Sequence, residues 1–131
     1  EPTVRRIDFL TGQPTSPGGF PDISWYNAKG EPVNWGFPSR SLVCLLAAIP
    51  AADATAPPTH HILTMYHGGV DGKTFRIPPL ARTASWRLFI DTAADAPADA
   101  YPDLEGPRFP ANGKIALKPQ SLVCYVATDW R

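Results

Sequence analysis

Short runs in which apolar and polar residues alternate cover most of this chain. Successive side chains in such a run point to opposite faces of a half-buried β-strand. In the run 61–67, for example, Leu63 and Met65 fall on one face and the even-numbered residues on the other. The run 41–49 is nearly all apolar and therefore predicts a central strand that is buried on both faces.

Eight runs predict short strands, at residues 4–10, 22–28, 41–49, 61–67, 73–77, 85–91, 114–117 and 121–127. Asp71-Gly72 and Asn112-Gly113 are typical of hairpin turns, because glycine readily adopts a positive φ. Longer loops are predicted at 50–59 and at 93–110, the second with room for a single helical turn. The 16 prolines exclude long helices, since each removes a hydrogen-bond donor and clashes with the preceding turn.

This succession of strands and turns predicts an all-β fold, an antiparallel β-sandwich of about eight strands. A chain of 131 residues suits one domain, and no shift in composition marks an internal boundary. We therefore expect a single β-sandwich domain over residues 1–131. Because the chain starts at Glu1 and not at Met, we expect it to be processed or excised from a longer protein.

The charge balance bears on the class of partner. Twelve basic side chains match twelve acidic ones. Binding to a phosphate backbone draws on a basic excess, so this balance argues against nucleic acid as the main partner. It gives no support to an anionic membrane partner either, and no apolar segment reaches the ~20 residues of a membrane span.

Side chains suited to catalysis or metal binding are scattered, so we predict no catalytic residue, no metal and no cofactor. The aspartates at 91, 95, 99 and 103 would share one face of a helix, but two prolines interrupt it, which favours a solvated loop over a calcium site. His61 and His67 would lie about 20 Å apart on a strand, too far apart to share an ion. A Gly-x-Ser-x-Gly nucleophile elbow is missing, as is a phosphate-binding loop.

Two cysteines, Cys44 and Cys124, both lie in apolar runs. A disulfide-built secreted module normally carries more than two. Free cysteine is among the most buried residue types, so two buried thiols are favoured. A disulfide between them stays open as the alternative.

Three aromatic residues are the candidates for ligand contact: Trp25, Tyr26 and Trp35 lie within eleven residues of one another, in a stretch rich in glycine and proline. Sugars stack on flat aromatic faces, so these side chains are candidate carbohydrate-binding residues. Packing in the core or at a domain interface is the stronger alternative for tryptophan in an all-β fold. Trp86 alternates with Leu88 and is predicted to be core.

Several short motifs resemble, in order, the segment that follows the catalytic barrel in isoamylase-type glycogen debranching enzymes. They are Arg5-Arg6 with Phe9 and Gly12, then Asp22-Ile23-Ser24-Trp25, Gly30, Asn34-Trp35, Ser41-Leu42, Phe75-Arg76-Ile77-Pro78, Trp86 with Asp91-Thr92, and Ser121-Leu122-Val123. Each motif is weak alone, and the resemblance rests on their order and spacing over nearly the whole chain. The chain departs from the family at Asn34, where an Asp is usual, and at Tyr66-His67, where an Asn is usual.

The resemblance implies a C-terminal β-sandwich like that of α-amylase-type glycosidases, in a cytoplasmic parent enzyme that hydrolyses α-1,6 branch linkages of glycogen or related α-glucans. The parent's two catalytic carboxylates would lie on a (β/α)8 barrel. Such a barrel needs ~250 residues and cannot fit in this chain. The chain alone is therefore expected to be inactive.

Two roles suit such a domain. It can pack on its own catalytic barrel and cover apolar surface there, which is the role that we favour. Alternatively, it can bind α-glucan through Trp25, Tyr26 or Trp35. A free-standing enzyme is a third reading, but the sequence offers no converging acid, base and nucleophile for it.

Overall fold

The structure of this protein is a computed structural model that describes residues 2–4, 9–14, 20–48 and 59–128. These residues contain seven strands, all paired antiparallel in two sheets. The strands are β1 (Ile23–Tyr26), β2 (Ser41–Leu46), β3 (His60–His67), β4 (Lys73–Arg76), β5 (Arg87–Asp91), β6 (Lys114–Leu117) and β7 (Ser121–Thr128). Two 3-10 turns, Pro2–Val4 and Pro79–Thr83, are the helical elements of the described residues.

The predicted antiparallel all-β sandwich is confirmed. Each of the last seven predicted strands coincides with one of these strands to within three residues at either end. The first, predicted at 4–10, is wrong at its ends, since Val4 closes a 3-10 turn and Phe9 and Leu10 lie outside any strand. Its residues 5–8 lie outside the described residues, as does the predicted loop at 50–59 apart from Thr59.

The larger sheet has five strands in the order β1-β2-β3-β7-β5, and the smaller pairs β4 with β6. The interpretation of Asp71-Gly72 as a hairpin turn is therefore wrong, because β4 pairs with β6 and not with β3. The chain crosses between sheets there, and Gly69 packs so closely on the His67 ring that a Cβ would lie 2.7 Å from its Cε1. At Asn112-Gly113 the structure has a tight turn with Gly113 at φ 72°, but the segment before it is not a strand, so no hairpin forms.

One cluster of buried apolar side chains joins the two sheets. In the larger sheet, every second residue of a strand points into this cluster. Val43, Leu45, Leu63 and Met65 are among them, and all four are at 0% exposure. We call this side of the larger sheet its inner face. The smaller sheet covers it with Phe75 and Leu117, and the segment after β4 adds Ile77, Ala81 and Trp86.

Loops protect both edges of the larger sheet. Beside β1, the N–H of Val33 donates to the carbonyl of Trp25 at 3.2 Å, and Pro32 forms a bridge with Tyr26. Beside β5, residues 99–108 run along the strand, with bridges at Ala100 and Arg108 and three backbone hydrogen bonds. Unpaired backbone groups on an open edge can form hydrogen bonds with a strand of another molecule. Because loops pair with these groups here, both edges of the larger sheet are protected from such association.

The register of the central strands places the two cysteines on either side of Thr64. Cys44 lies opposite Thr64 on β2, and Cys124 lies opposite it on β7. Both thiols are free, and that of Cys44 is buried. The prediction of free thiols is confirmed, while Cys124 is half-buried and not fully enclosed.

Candidate functional site

The side of the larger sheet that faces away from the core is apolar except at Thr64 and Arg87. We call this side the outer face. Strand registers and the alternation of side chains assign its members. They are Ile23 and Trp25 of β1, Leu42, Cys44 and Leu46 of β2, Ile62, Thr64 and Tyr66 of β3, Leu122, Cys124 and Val126 of β7, and Arg87 and Ile90 of β5.

Solvent reaches most of this outer face. Cys44 is buried, Tyr66 is 41% exposed, and the other members are half-buried. The smaller sheet packs on the inner face, and the described part of the chain places no second sheet over the outer one. An antiparallel sheet with a solvated face normally alternates apolar-in with polar-out, so an apolar outer face is unexpected for a surface that stays in water.

Trp25 and Trp35 lie together at the β1 end of the outer face. Their ring centroids are 5.8 Å apart and their planes are inclined at 70°, an edge-to-face contact. Trp25 is half-buried, whereas Trp35 is 69% exposed.

A small turn holds Trp35 in this position. The Asn34 side-chain oxygen accepts from the N–H of Gly36 at 2.9 Å, and the Asn34 carbonyl accepts from the N–H of Phe37 at 3.1 Å. An aspartate would offer the same acceptor, so the departure from the family pattern at Asn34 preserves the turn. Phe37, at the end of this turn, is 74% exposed and makes no ring contact with the two tryptophans.

Tyr26 does not join the two tryptophans. Successive residues of a strand face opposite ways, so the side chain of Tyr26 points to the inner face and is only 8% exposed. Its hydroxyl donates to the Ser24 hydroxyl at 3.1 Å. The structure thus brings together two of the three predicted sugar-binding residues and buries the third.

A serine–histidine pair lies between β2 and β3, although sequence reasoning gave no reason to pair these residues. Ser41 Oγ lies 2.9 Å from His67 Nδ1, and His67 Nε2 lies 2.5 Å from the Asp71 carbonyl oxygen. A carbonyl only accepts, so Nε2 carries the proton and Nδ1 accepts from the serine hydroxyl. Both side chains are buried on the inner face, 7% exposed each, so a substrate has no access to them.

The other reactive groups are also inert or dispersed. Burial raises the pKa of the Cys44 thiol to about 11 and that of Cys124 above its ordinary value, so neither is a thiolate near neutral pH. Within the described residues, His, Cys, Asp and Glu side chains do not gather in groups of three or more that could hold a metal ion. No helix of the described residues is long and apolar enough to cross a membrane.

No protein-family model and no curated protein matches this chain.

Proposed function

We propose that this chain is a non-catalytic C-terminal β-sandwich domain of a glycogen debranching glycoside hydrolase, and that it packs through its outer face on the enzyme's catalytic barrel. The observation that carries the proposal is the apolar outer face of the five-stranded sheet, which includes Leu42, Ile62, Leu122 and Val126. Contiguous exposed apolar patches of more than a few hundred Å² are rare on monomeric proteins and mark interaction surfaces.

The energetics favour covering this face. Each Å² of apolar surface removed from water contributes roughly 25 cal/mol. An interface between domains of one chain typically covers about 600–1,500 Å², a range that a five-stranded sheet face can supply. Since loops close both sheet edges, the face is the side of this sheet that is open to a partner.

The choice of parent enzyme is supported by the ordered motifs of the sequence. In the first third of the chain, several motif residues build one turn-and-strand unit. Asp22 organises the entry to β1, Gly30 occupies a positive-φ turn position after it, and Trp35 returns to contact Trp25. The motifs are therefore linked in space as well as in sequence, as expected if they belong to one inherited unit.

Self-association in solution tests the docking face. The isolated chain should associate reversibly, because its apolar outer face finds another copy when no barrel is present. Leu122→Glu places a charge on that face, beside Tyr66 and in the same row as Leu42, and should make the chain monomeric. Sedimentation velocity over a range of concentrations measures this association.

Val70→Glu is the matched control, since Val70 is 69% exposed in the loop between β3 and β4 and lies off the outer face. It should associate like the wild type, and thermal unfolding should show that both variants are folded. A wild-type chain that stays monomeric and binds no hydrophobic dye would contradict the docking proposal. Equal behaviour of the two variants would contradict it as well.

A second function, contact with α-glucan, is favoured by the exposure of Trp35. One face of an indole ring that is 69% exposed and braced by Trp25 is free to stack on a sugar ring. Titration with maltooligosaccharides should then give a saturable change in tryptophan fluorescence that Trp35→Ala abolishes. Phe37→Ala, which removes a nearby aromatic ring that is 74% exposed, is the control. No response at millimolar sugar would count against this function.

A further inference from the structure

A cleft of about 460 Å³ lies on the other side of the molecule from the outer face, where the segment 82–86 meets the segment 108–113. It is lined by Arg82, Ser85, Trp86, Arg108, Phe109 and Asn112, among others. Its floor reaches Ile77 and Trp86 of the inner cluster, which separates it from the docking face. A volume of this size falls within the range of small-molecule sites.

The charge of the cleft is entirely positive. Its lining includes two arginines and no acidic residue. Neither Arg82 nor Arg108 forms an ion pair with a carboxylate of the described residues.

Neutral donors add to this set. The Asn112 side-chain oxygen accepts from the N–H of Lys114 at 3.0 Å, which leaves the amide NH2 group free to donate. The residues 110–113 form a turn closed by a 3.0 Å bond from the N–H of Gly113 to the carbonyl of Pro110. The N–H groups of Ala111 and Asn112, at the centre of that turn, donate to no acceptor of the described residues.

An apolar wall completes the cleft. Trp86 is 2% exposed, and its indole N–H donates to the Ala81 carbonyl at 2.7 Å, so the ring is fixed and its only donor is satisfied. Half-buried Phe109 lies beside it. Half-buried Phe109 can contact a ring or carbon skeleton above this fixed and buried indole, while the rim of arginine and amide donors contacts an anionic group.

We propose that this cleft binds a phosphate monoester carried on a small organic body, such as a sugar phosphate. Guanidinium groups match the geometry of phosphate oxygens, and two of them can neutralise a dianion. The apolar wall would hold the organic body. This site is separate from the docking role and from Trp35, so its failure would leave both of those proposals untouched.

Titration of the 15N-labelled chain with inorganic phosphate, glucose 6-phosphate and glucose tests the site by NMR. Both phosphates should shift the Trp86 indole N–H and the Ala111 amide in a saturable way, glucose 6-phosphate at lower concentration, and glucose alone should shift neither. Arg82→Gln should weaken binding at least tenfold. The Arg82 side chain makes no hydrogen bond within the described residues, so the variant should remain folded.

Arg40→Gln is the matched control, an exposed arginine outside the cleft that should leave binding unchanged. The proposal is overturned if these two signals stay fixed, if Arg40→Gln weakens binding as much as Arg82→Gln, or if sodium chloride at equal ionic strength gives the same shifts. Equal affinity for inorganic phosphate and glucose 6-phosphate would contradict the proposal that the apolar wall holds the organic body of the ligand.

Discussion

Asp22 illustrates how one residue can organise a segment that lacks regular structure. Its carboxylate accepts from the N–H groups of Thr11 and Gly12, at 2.7 and 2.6 Å, and from its neighbour Ile23 at 2.7 Å. Burial alone would raise the pKa of Asp22. Three backbone N–H groups and one hydroxyl stabilise the ionised form, however, and hold the pKa below its ordinary value of 3.8. Ionised Asp22 thus ties the segment before β1 to the start of that strand.

Replacing Asp22 should change both stability and its dependence on pH. A lowered pKa in the folded state means that the contribution of Asp22 is complete above the unfolded pKa of about 3.9 and disappears as the pH falls through the folded value. Asp22→Asn should lower the free energy of unfolding at pH 7 by about 1–3 kcal/mol, because N–H donors lose a charged acceptor. Urea denaturation at pH 7 and near pH 2 should show this difference shrinking in acid.

Asp95→Asn, at an exposed position, is the control for this experiment and should unfold like the wild type at pH 7. A difference between Asp22→Asn and the wild type that stayed constant down to low pH would contradict the role assigned to the charge.

For single residues, the sequence predicts which side chains are suited to contact a ligand better than it predicts where those side chains lie in the fold. Trp25 and Tyr26 are neighbours in the chain and looked equivalent as sugar-binding residues, but strand alternation places them on opposite faces of the sheet. Strand alternation alone predicts that these two side chains point in opposite directions. Which of the two points into the core depends on where the smaller sheet packs. The Ser41–His67 bond depends on the register of β2 with β3, which no local pattern specifies.

At the scale of elements, the smaller sheet depends on its attachment to the larger one. Two paired strands of four residues each are at best marginally stable alone. Phe75, at 0% exposure in β4, and Leu117, at 3% in β6, insert into the core opposite the larger sheet. Their neighbours in the strands are exposed or half-buried. One aromatic side chain therefore provides much of the contact that holds this sheet in place.

Phe75→Ala should lower the free energy of unfolding by about 3–5 kcal/mol, the usual cost of removing a buried aromatic ring. Thr74→Ala, at the exposed neighbouring position, should change it by no more than about 0.5 kcal/mol. Urea denaturation followed by circular dichroism provides both values. Similar losses for the two variants would show that the smaller sheet does not depend on its buried residue.

Seven strands could be predicted because hydrophobic alternation and turn residues are local signals. The strand with which each of them pairs could not be predicted from these signals. Hairpin pairing of β3 with β4 is the default for neighbours in sequence joined through glycines. Here the buried side of β3 is already occupied by the core and both its edges by β2 and β7, so β4 leaves for the second sheet. Strand pairing of this kind is decided by the competition of all strands for edges.

For the whole molecule, the arrangement of apolar surface is the informative feature. The inner face is covered from within the chain, both sheet edges are closed by loops, and no sheet of the described residues covers the outer face. The outer face takes Ile23 and Trp25 from β1, and its centre is formed by β2, β3 and β7. Long-range strand order, which places distant segments side by side, was needed to find it.

Cys44 and Cys124 lie on the two strands that flank Thr64, and their separation bears on the cellular compartments in which such a domain can fold. Two strand spacings, about 9.5 Å, separate the two backbones, and a disulfide cannot form when the Cα atoms are more than about 7 Å apart. The native fold therefore neither requires an oxidant nor is locked by one. We expect the domain to mature equally well in a reducing or an oxidising compartment, without assistance from thiol–disulfide exchange.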